Sequence, residues 1–528
     1  MKKINIFDST LRDGAQAEGI SFTVKDKIKI TKALDDLGIS YIEAGNPGSN
    51  PKDLEFFTRI KNEKLKYAKL TAFGSTRRAN IKVEEDSNIK SLLEADTPTV
   101  AIFGKAWDFH VTDIIKTTLD ENLAMIKDTI AFLKSNDKEV IFDAEHFFDG
   151  YKSNPQYSLA VLKAAEEGGA DALVLCDTNG GAFPYEVYDI TKEVAEKFSV
   201  EIGLHCHNDG GMAVANTIMG VKAGATHVQG TYIGFGERCG NVNLSTVIAN
   251  LQLKQDKKCI PIENMQSLTR TARKVAEIAN ISINEREPYV GNSAFAHKGG
   301  MHIDGINKTP FSFEHIDPEK VGNKRRILMS EVSGKGTLLT KIQKFNSSIK
   351  KESPETQKLI DRLKELEYEG YQFEGAESTF ELIIRKYLGK YKPFFELKYY
   401  KVIEENYAAG ENVSTAFVKI NVEGKEELKI AEGVGPVDAL NKALRKALET
   451  FYPQLKDVYL SDYKVRVLEA STATESKVRV LIESSDGYNV WTTVGVSKDL
   501  IEASWVALVD SIEYKLIKDI EEKVRAYI

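Results

Sequence analysis

Two histidines separated by one residue, in Gly203-Leu204-His205-Cys206-His207-Asn208-Asp209, can place two imidazoles on one metal ion. The apolar run Ile202-Gly203-Leu204 before them predicts a strand, and alternate side chains of a strand share a face. Packed or hydrogen-bonded histidines are the other reading of the same pair. Cys206 then faces away, toward a covering helix, and is not a ligand. A further ligand has to come from elsewhere in the chain. Asp13 is the candidate, in Phe7-Asp8-Ser9-Thr10-Leu11-Arg12-Asp13-Gly14-Ala15-Gln16, where an acid and a base follow a short apolar run.

Such residues must be positioned by a scaffold, and the pattern around them supplies one. Apolar, β-branched runs at 4–7, 41–44, 69–73, 99–103, 140–143, 172–176, 202–205 and 227–231 read as strands. Between them lie amphipathic stretches, among them 25–37, 123–133, 158–167, 185–197 and 212–223, most leading to a glycine that can end a helix. Eight strand-then-helix units predict a (β/α)8 TIM barrel, whose chemistry sits on the loops after the strands. Polar residues gather there: Arg12, Asp13 and Gln16 after strand one, Glu43 and Asn46 after two, Ser75, Thr76 and Arg77 after three. His110 follows strand four, Glu145 and His146 strand five, and Asp177, Thr178 and Asn179 strand six; His205 and His207 end strand seven, and a glycine-rich loop, 234–241, follows strand eight. Singly, Glu43, His146 or Arg77 reads as a loop cap or a solvated side chain; jointly, these placements call for a site.

The chain has 528 residues, enough for several domains. Its 71 basic and 78 acidic residues give a net charge of −7 without long blocks of one sign, which speaks against nucleic acid as a partner. No apolar stretch reaches the ~18 residues of a membrane span, and no secretory h-region is apparent near the first residues. The four cysteines are too few and too irregular for a disulfide framework. A cytoplasmic protein is expected. The barrel is assigned to 1–275, a helical linker subdomain to 276–390, and a C-terminal α+β domain to 391–528. The linker contains His297, His302 and Asp304 among glycines, and 347–356 reads as a connector. In the last domain, Val418-Lys419-Ile420-Asn421-Val422 leads to 433–439 and a helix, and Val478-Arg479-Val480-Leu481-Ile482 leads to 494–499 and another. This internal repeat suits a small effector bound between halves, or dimerisation.

Asp8-Ser9-Thr10-Leu11-Arg12-Asp13-Gly14-Ala15-Gln16, His205-Cys206-His207-Asn208-Asp209 and residues 234–241 closely resemble the signature motifs of the isopropylmalate synthase family, which includes homocitrate and citramalate synthases. The resemblance spans the chain, and 74–78, 294–302 and 321–326 look most like the citramalate-forming branch. It implies condensation of acetyl-CoA with a 2-oxo acid, pyruvate in that branch, followed by thioester hydrolysis. It implies a divalent ion, Mn2+, Mg2+ or Zn2+, on Asp13, His205 and His207, with Asn241 as a fourth ligand. By the same resemblance Arg12 stabilises the alkoxide, Thr178 binds the substrate carboxylate, Glu145 serves acetyl-CoA, and His302 is the base oriented by Asp304. Gln16 and His110 complete the expected substrate contacts, and Phe73, Phe103 and Ala144 are the positions expected to shape the acceptor pocket. A homodimer is implied, and an amino-acid effector, isoleucine or leucine, for a C-terminal regulatory domain. Relatives often carry Tyr where this chain has Phe313, so no hydroxyl acts there. The alternatives are a 2-isopropylmalate synthase acting on 2-oxoisovalerate, a hydroxyacyl-CoA lyase on the same barrel, and an effector-binding protein on an inactive barrel. The C-terminal domain argues against the lyase, and the intact motif residues against the inactive barrel.

Overall fold

The computed structural model describes residues 2–61, 63–328, 354–406, 412–468 and 476–526. Of the connector expected at 347–356, residues 347–353 lie outside these. The chain divides into two units, one of residues 1–296 and 314–326, the other of 297–313 and 327–528.

The first unit is a closed barrel of eight parallel strands, β1 (Asn5–Asp8), β2 (Tyr41–Glu43), β3 (Lys69–Ser75), β4 (Thr99–Lys105), β5 (Glu139–Glu145), β6 (Ala172–Asp177), β7 (Glu201–Cys206) and β8 (His227–Gly230). All eight fall where the apolar runs placed them. The sheet closes by pairing β1 with β8, Asn5 opposite His227 and Asp8 opposite Gly230. Helices cover the outside, and local chemistry fixes their ends. In α1 (Val24–Leu37), Thr23 and Asp26 form a capping box, and Gly38, left-handed at φ 101°, ends it. Its apolar face, Ile30, Leu34 and Leu37, is buried in the outer core. Proline at the first turn opens α2 (Pro51–Ile60), and Pro155 and Asn154 open the helix Pro155–Gly168. In β7, Cys206 points outward into this core, and its thiol meets Thr217 of the helix Ala213–Ala223, as alternation requires. Among the described residues no helix is long and apolar enough to cross a membrane.

The lower barrel interior is filled by Phe7, Tyr41, Ala101, Ile141, Ala172 and Val174. His227 sits among them, 5.4 Å from the Phe7 ring and 5.6 Å from the Tyr41 ring, with neither nitrogen hydrogen-bonded among the described residues. Burial pushes its imidazole down to about 4. The unfolded chain titrates near 6.5, so between those values the unfolded state binds the extra proton and folding weakens as the pH falls. The loss amounts to about 3 kcal/mol across that window. His227→Leu is therefore expected to flatten the acid limb of stability between pH 6.5 and 4, read by urea unfolding at a series of pH values; an unchanged slope would contradict it.

In the second unit, residues 300–308 form a helix (Gly300–Lys308), and a helical hairpin, Pro354–Glu369 and Glu377–Tyr387, packs on itself through Leu359, Leu363, Phe380 and Ile384. Two antiparallel three-stranded sheets follow. The first is β9 (Glu396–Asn406), β10 (Asn412–Val422) and β11 (Lys425–Gly433), followed by the helix Pro436–Leu448; the second is β12 (Tyr459–Val467), β13 (Val478–Ser485) and β14 (Val490–Ser497), followed by the helix Leu500–Ala526. The internal repeat is thus a βββα unit used twice, with Val418, Ile420, Leu444, Val480, Ile482 and Leu508 in a shared core. Contacts also run across the position near 390: Lys386 pairs with Asp510 at 3.2 Å, and Thr379 accepts the backbone N–H of Val494 at 3.0 Å.

Candidate active site

The turn after β1 is built by its own polar atoms. Asp8 accepts the N–H of Thr10 at 2.9 Å, and the N–H groups of Arg12 and Gly14 return to the Ser9 carbonyl at 3.1 and 3.0 Å. At Gly14 a Cβ would lie 2.9 Å from the Phe235 ring, so a larger residue there would push that ring aside. This turn delivers Asp13 over the barrel mouth, where β7 delivers His205 and its extension His207. The loop 234–241 is shaped around Asn241. The Asn241 N–H donates to Gly234, and Gly240 is left-handed at φ 84° where a Cβ would lie 2.1 Å from the Gly234 carbonyl. At Gly236 a Cβ would lie 2.1 Å from the Asn241 amide oxygen.

Asp13, His205 and His207 form a buried group whose candidate ligand atoms all lie within 4.8 Å of one another. Asp13 Oδ2 is 3.2 Å from His205 Nε2, 3.7 Å from His207 Nε2, 3.1 Å from Asn241 Nδ2 and 3.5 Å from Arg12 Nη1. Burial alone would raise the Asp13 carboxyl, but the Arg12 guanidinium and the imidazoles beside it hold it well below the usual range. Burial and the neighbouring His205 push His207 down to about 4, so it is neutral and free to ligate. Burial also opposes a proton on His205, yet the Asp13 carboxylate raises it overall. One carboxylate oxygen and two imidazole nitrogens suit a divalent ion. Among the described residues, Asn241 Oδ1 and His207 Nδ1 are buried without partners. Turning the Asn241 amide over exchanges Nδ2 for Oδ1 beside Asp13 and His205, which makes it a fitting fourth donor.

Arg12 is fixed on two sides. Its Nε donates to Glu43 Oε2 at 2.7 Å, and its guanidinium lies 3.8 Å from the Phe73 ring centroid. Phe73 in turn stacks on Phe103 at 5.4 Å. Glu43, which singly read as a cap or a solvated side chain, is completely buried and also accepts the Ser9 hydroxyl. Behind the metal-binding group, His205 Nδ1 lies 2.9 Å from Gln229 Oε1, and Gln229 Nε2 donates to Asp143 Oδ1 at 2.8 Å. Burial, with Glu43 adding to it, pushes the Asp143 carboxyl up to about 7.

A second group lies on the loops after β4, β5 and β6. Glu145 is ion-paired with Lys105. The hydroxyl of Thr178 accepts the His146 N–H at 2.8 Å, and His146, left-handed at φ 57°, places its ring 4.2 Å from His110. His110 stacks on Trp107 at 5.2 Å. Gln16 is exposed at the end of a 3-10 turn. Arg77 turns out to be buried and structural, pairing with Glu121 and Asp128 at 2.7 and 2.8 Å. Ala144, expected on the pocket wall, packs in the outer core instead, because on β5 the neighbours Asp143 and Glu145 take the inward positions.

His302 and Asp304 belong to the second unit, on the helix Gly300–Lys308, and both are exposed. The His302 ring stacks on Phe313 at 4.1 Å and lies 6.4 Å from His297, while the Asp304 carboxylate is held by Lys308 at 2.6 Å. Ser9, Asp143 and Gln229 had not been singled out as site residues. One signal for Gln229 was in the sequence: it stands two residues from His227 on a strand, the same spacing that marks His205 and His207.

Residues 3–275 match the HMGL-like family model, 289–370 the homocitrate synthase post-HMGL domain-like model, and 374–516 the LeuA allosteric (dimerisation) domain. The chain is 55% identical over 525 residues to an (R)-citramalate synthase of Aquifex aeolicus, covering 99% of each. It is 50% identical over 522 residues to one from Geobacter sulfurreducens, again covering 99% of each. To a probable 2-isopropylmalate synthase of Methanopyrus kandleri it is 32% identical over 512 residues, covering 97% of this chain and 98% of that one.

Proposed function

Because the chain belongs to the HMGL-like family, and within it to the (R)-citramalate synthases, we propose that it condenses acetyl-CoA with pyruvate and hydrolyses the thioester to release (R)-citramalate and CoA. It is an enzyme of the acetyl-CoA-condensing transferase class. The observation that carries pyruvate over 2-oxoisovalerate is the much greater full-length likeness to citramalate-forming relatives than to the isopropylmalate-forming one.

Asp13, His205, His207 and Asn241 would hold a divalent ion, Mn2+, Mg2+ or Zn2+, which would supply Lewis acidity toward the 2-oxo acid. Arg12, held by Glu43 and Phe73, presents its remaining N–H groups to the oxygen that gains charge as the new carbon–carbon bond forms. Thr178 already accepts the His146 N–H, so its hydroxyl hydrogen is left to donate to the substrate carboxylate. Phe73 and Phe103 border the acceptor's small methyl group. Glu145 positions the thioester with Lys105 beside it, and Gln16 and His110 contribute at the rim. His302, its ring packed against Phe313, removes the methyl proton of the thioester. The working form is a homodimer.

Thiol titration of released CoA, with acetyl-CoA and either 2-oxo acid, tests the reading. Pyruvate is expected to be strongly preferred. Preference for 2-oxoisovalerate would make the protein a 2-isopropylmalate synthase, and cleavage of a hydroxyacyl-CoA to acetyl-CoA and an oxo acid, with no thiol released, would make it a lyase.

The C-terminal βββα pair is the regulatory part of this reading, and isoleucine its effector. At a hundredfold excess over its dissociation constant, a ligand bound only by the folded protein stabilises it by about 2.7 kcal/mol. Isoleucine is therefore expected to inhibit turnover and raise the melting temperature together, with leucine doing neither. Equal responses to leucine would sink the choice of effector.

A further inference from the structure

We propose that Gln229 is a positioning residue for the metal centre: its side-chain amide dictates which nitrogen of His205 is offered to a divalent ion, and Asp143 dictates the direction of the amide. The inference rests on the metal reading of the site and adds to it the residues that prepare the ligand.

His205, Gln229 and Asp143 form a line of three buried side chains from β7, β8 and β5, all on the inward face of the barrel. The two links, 2.9 Å from His205 Nδ1 to Gln229 Oε1 and 2.8 Å from Gln229 Nε2 to Asp143 Oδ1, are both of normal hydrogen-bond length. An amide has two unlike ends, and only its oxygen can accept an N–H. An ionised carboxylate can only accept, so Asp143 draws the N–H end of Gln229 toward itself. Oε1 is left facing His205, which must carry its hydrogen on Nδ1. Nε2, 3.2 Å from both Asp13 Oδ2 and Asn241 Nδ2, is then the nitrogen turned to the cluster. Reversing the amide would set N–H against N–H at one end and oxygen against carboxylate at the other. Leaving both buried polar pairs unmatched is costly enough to hold one orientation.

The two imidazoles are therefore unequal. His207 has no counterpart to Gln229, since its Nδ1 is buried without a hydrogen bond among the described residues. His205 is the ligand aligned in advance, and an acceptor behind a ligating histidine also raises its basicity toward a metal. The competing explanation is that Gln229 merely fills the barrel interior, and the experiment must separate the two.

The test uses the intact chain, stripped with chelator and titrated with Zn2+ by calorimetry at pH 8, above the titration of Asp143. Gln229→Leu removes the acceptor and is expected to weaken Zn2+ binding by about 10–100-fold. The double variant Gln229→Glu with Asp143→Asn moves the carboxylate one place along the line while keeping the net charge and an acceptor at His205. It is expected to bind Zn2+ within about threefold of the unaltered protein. In addition, the Zn2+-loaded protein labelled with 15N-histidine is expected to show His205, assigned by its loss in His205→Gln, as an Nδ1–H imidazole with Nε2 on the metal. The spectrum needs no variant at Gln229, so it can refute the proposal even where Gln229→Leu does not fold. Affinity within twofold in Gln229→Leu, a double variant as weak as Gln229→Leu, or coordination through Nδ1 would each overturn the proposal. No step uses acetyl-CoA or a 2-oxo acid, so a failure to make citramalate leaves this result standing. Absence of Zn2+ uptake by the unaltered protein would overturn both.

Discussion

Asp13→Asn is expected to remove divalent-metal binding and to lower turnover by more than about 10³-fold, the scale of several kcal/mol of Lewis-acid stabilisation. The substitution keeps the shape of the side chain and deletes its charge. That charge is what Arg12, His205 and His207 converge on, and it is held ionised against the effect of burial. Without it the pocket keeps a guanidinium and two imidazoles with no anionic ligand to balance an incoming cation. Metal content after dialysis and kcat with pyruvate are the readouts. Full metal content or near-normal turnover would show that the ion, if needed, is held elsewhere. His205→Ala should behave similarly, because it removes the ligand with the most complete support behind it.

Arg12→Lys is expected to lower kcat by about 10²–10³-fold while the KM for acetyl-CoA changes little, the loss typical of removing one donor to a developing oxyanion. Charge is conserved, so the effect isolates geometry. Lysine cannot at once lie flat on Phe73, donate to Glu43 and present further N–H groups to the substrate. Arg12→Ala should also destabilise the protein, by about 3–5 kcal/mol, since it strands the Glu43 carboxylate in a completely buried position. A lysine variant with normal kcat would take Arg12 out of the reaction.

The strands of the barrel were legible because their signal is local. The run 202–205 becomes Glu201–Cys206, and alternation along it separates His205 and His207 from Cys206 correctly. What was illegible depended on closure of the sheet. Glu43 and Arg12 are 31 residues apart, and Gln229 and Asp143 are 86 apart. Nothing along the chain says that such pairs meet. Ala144 was misjudged by one step of the strand period, where a shift of a single residue exchanges pocket for outer core. The pairing of His302 with Asp304 met a different obstacle. The segment is a helix, and on a helix residues two apart do not face each other whereas residues four apart do. Asp304 accordingly finds Lys308.

Asp13 and Asn241 touch across a separation of 228 residues, at the seam where the first barrel strand meets the last. The ligand set can therefore be completed only after the eighth strand and the loop behind it have been made. At about 5–20 residues per second, the N-terminal turn waits on the order of 10–50 s before the loop that carries Asn241 exists. No shorter nascent chain holds both halves of the ligand set. Possession of a bound ion thus certifies that translation has passed the eighth strand and that the circle has shut.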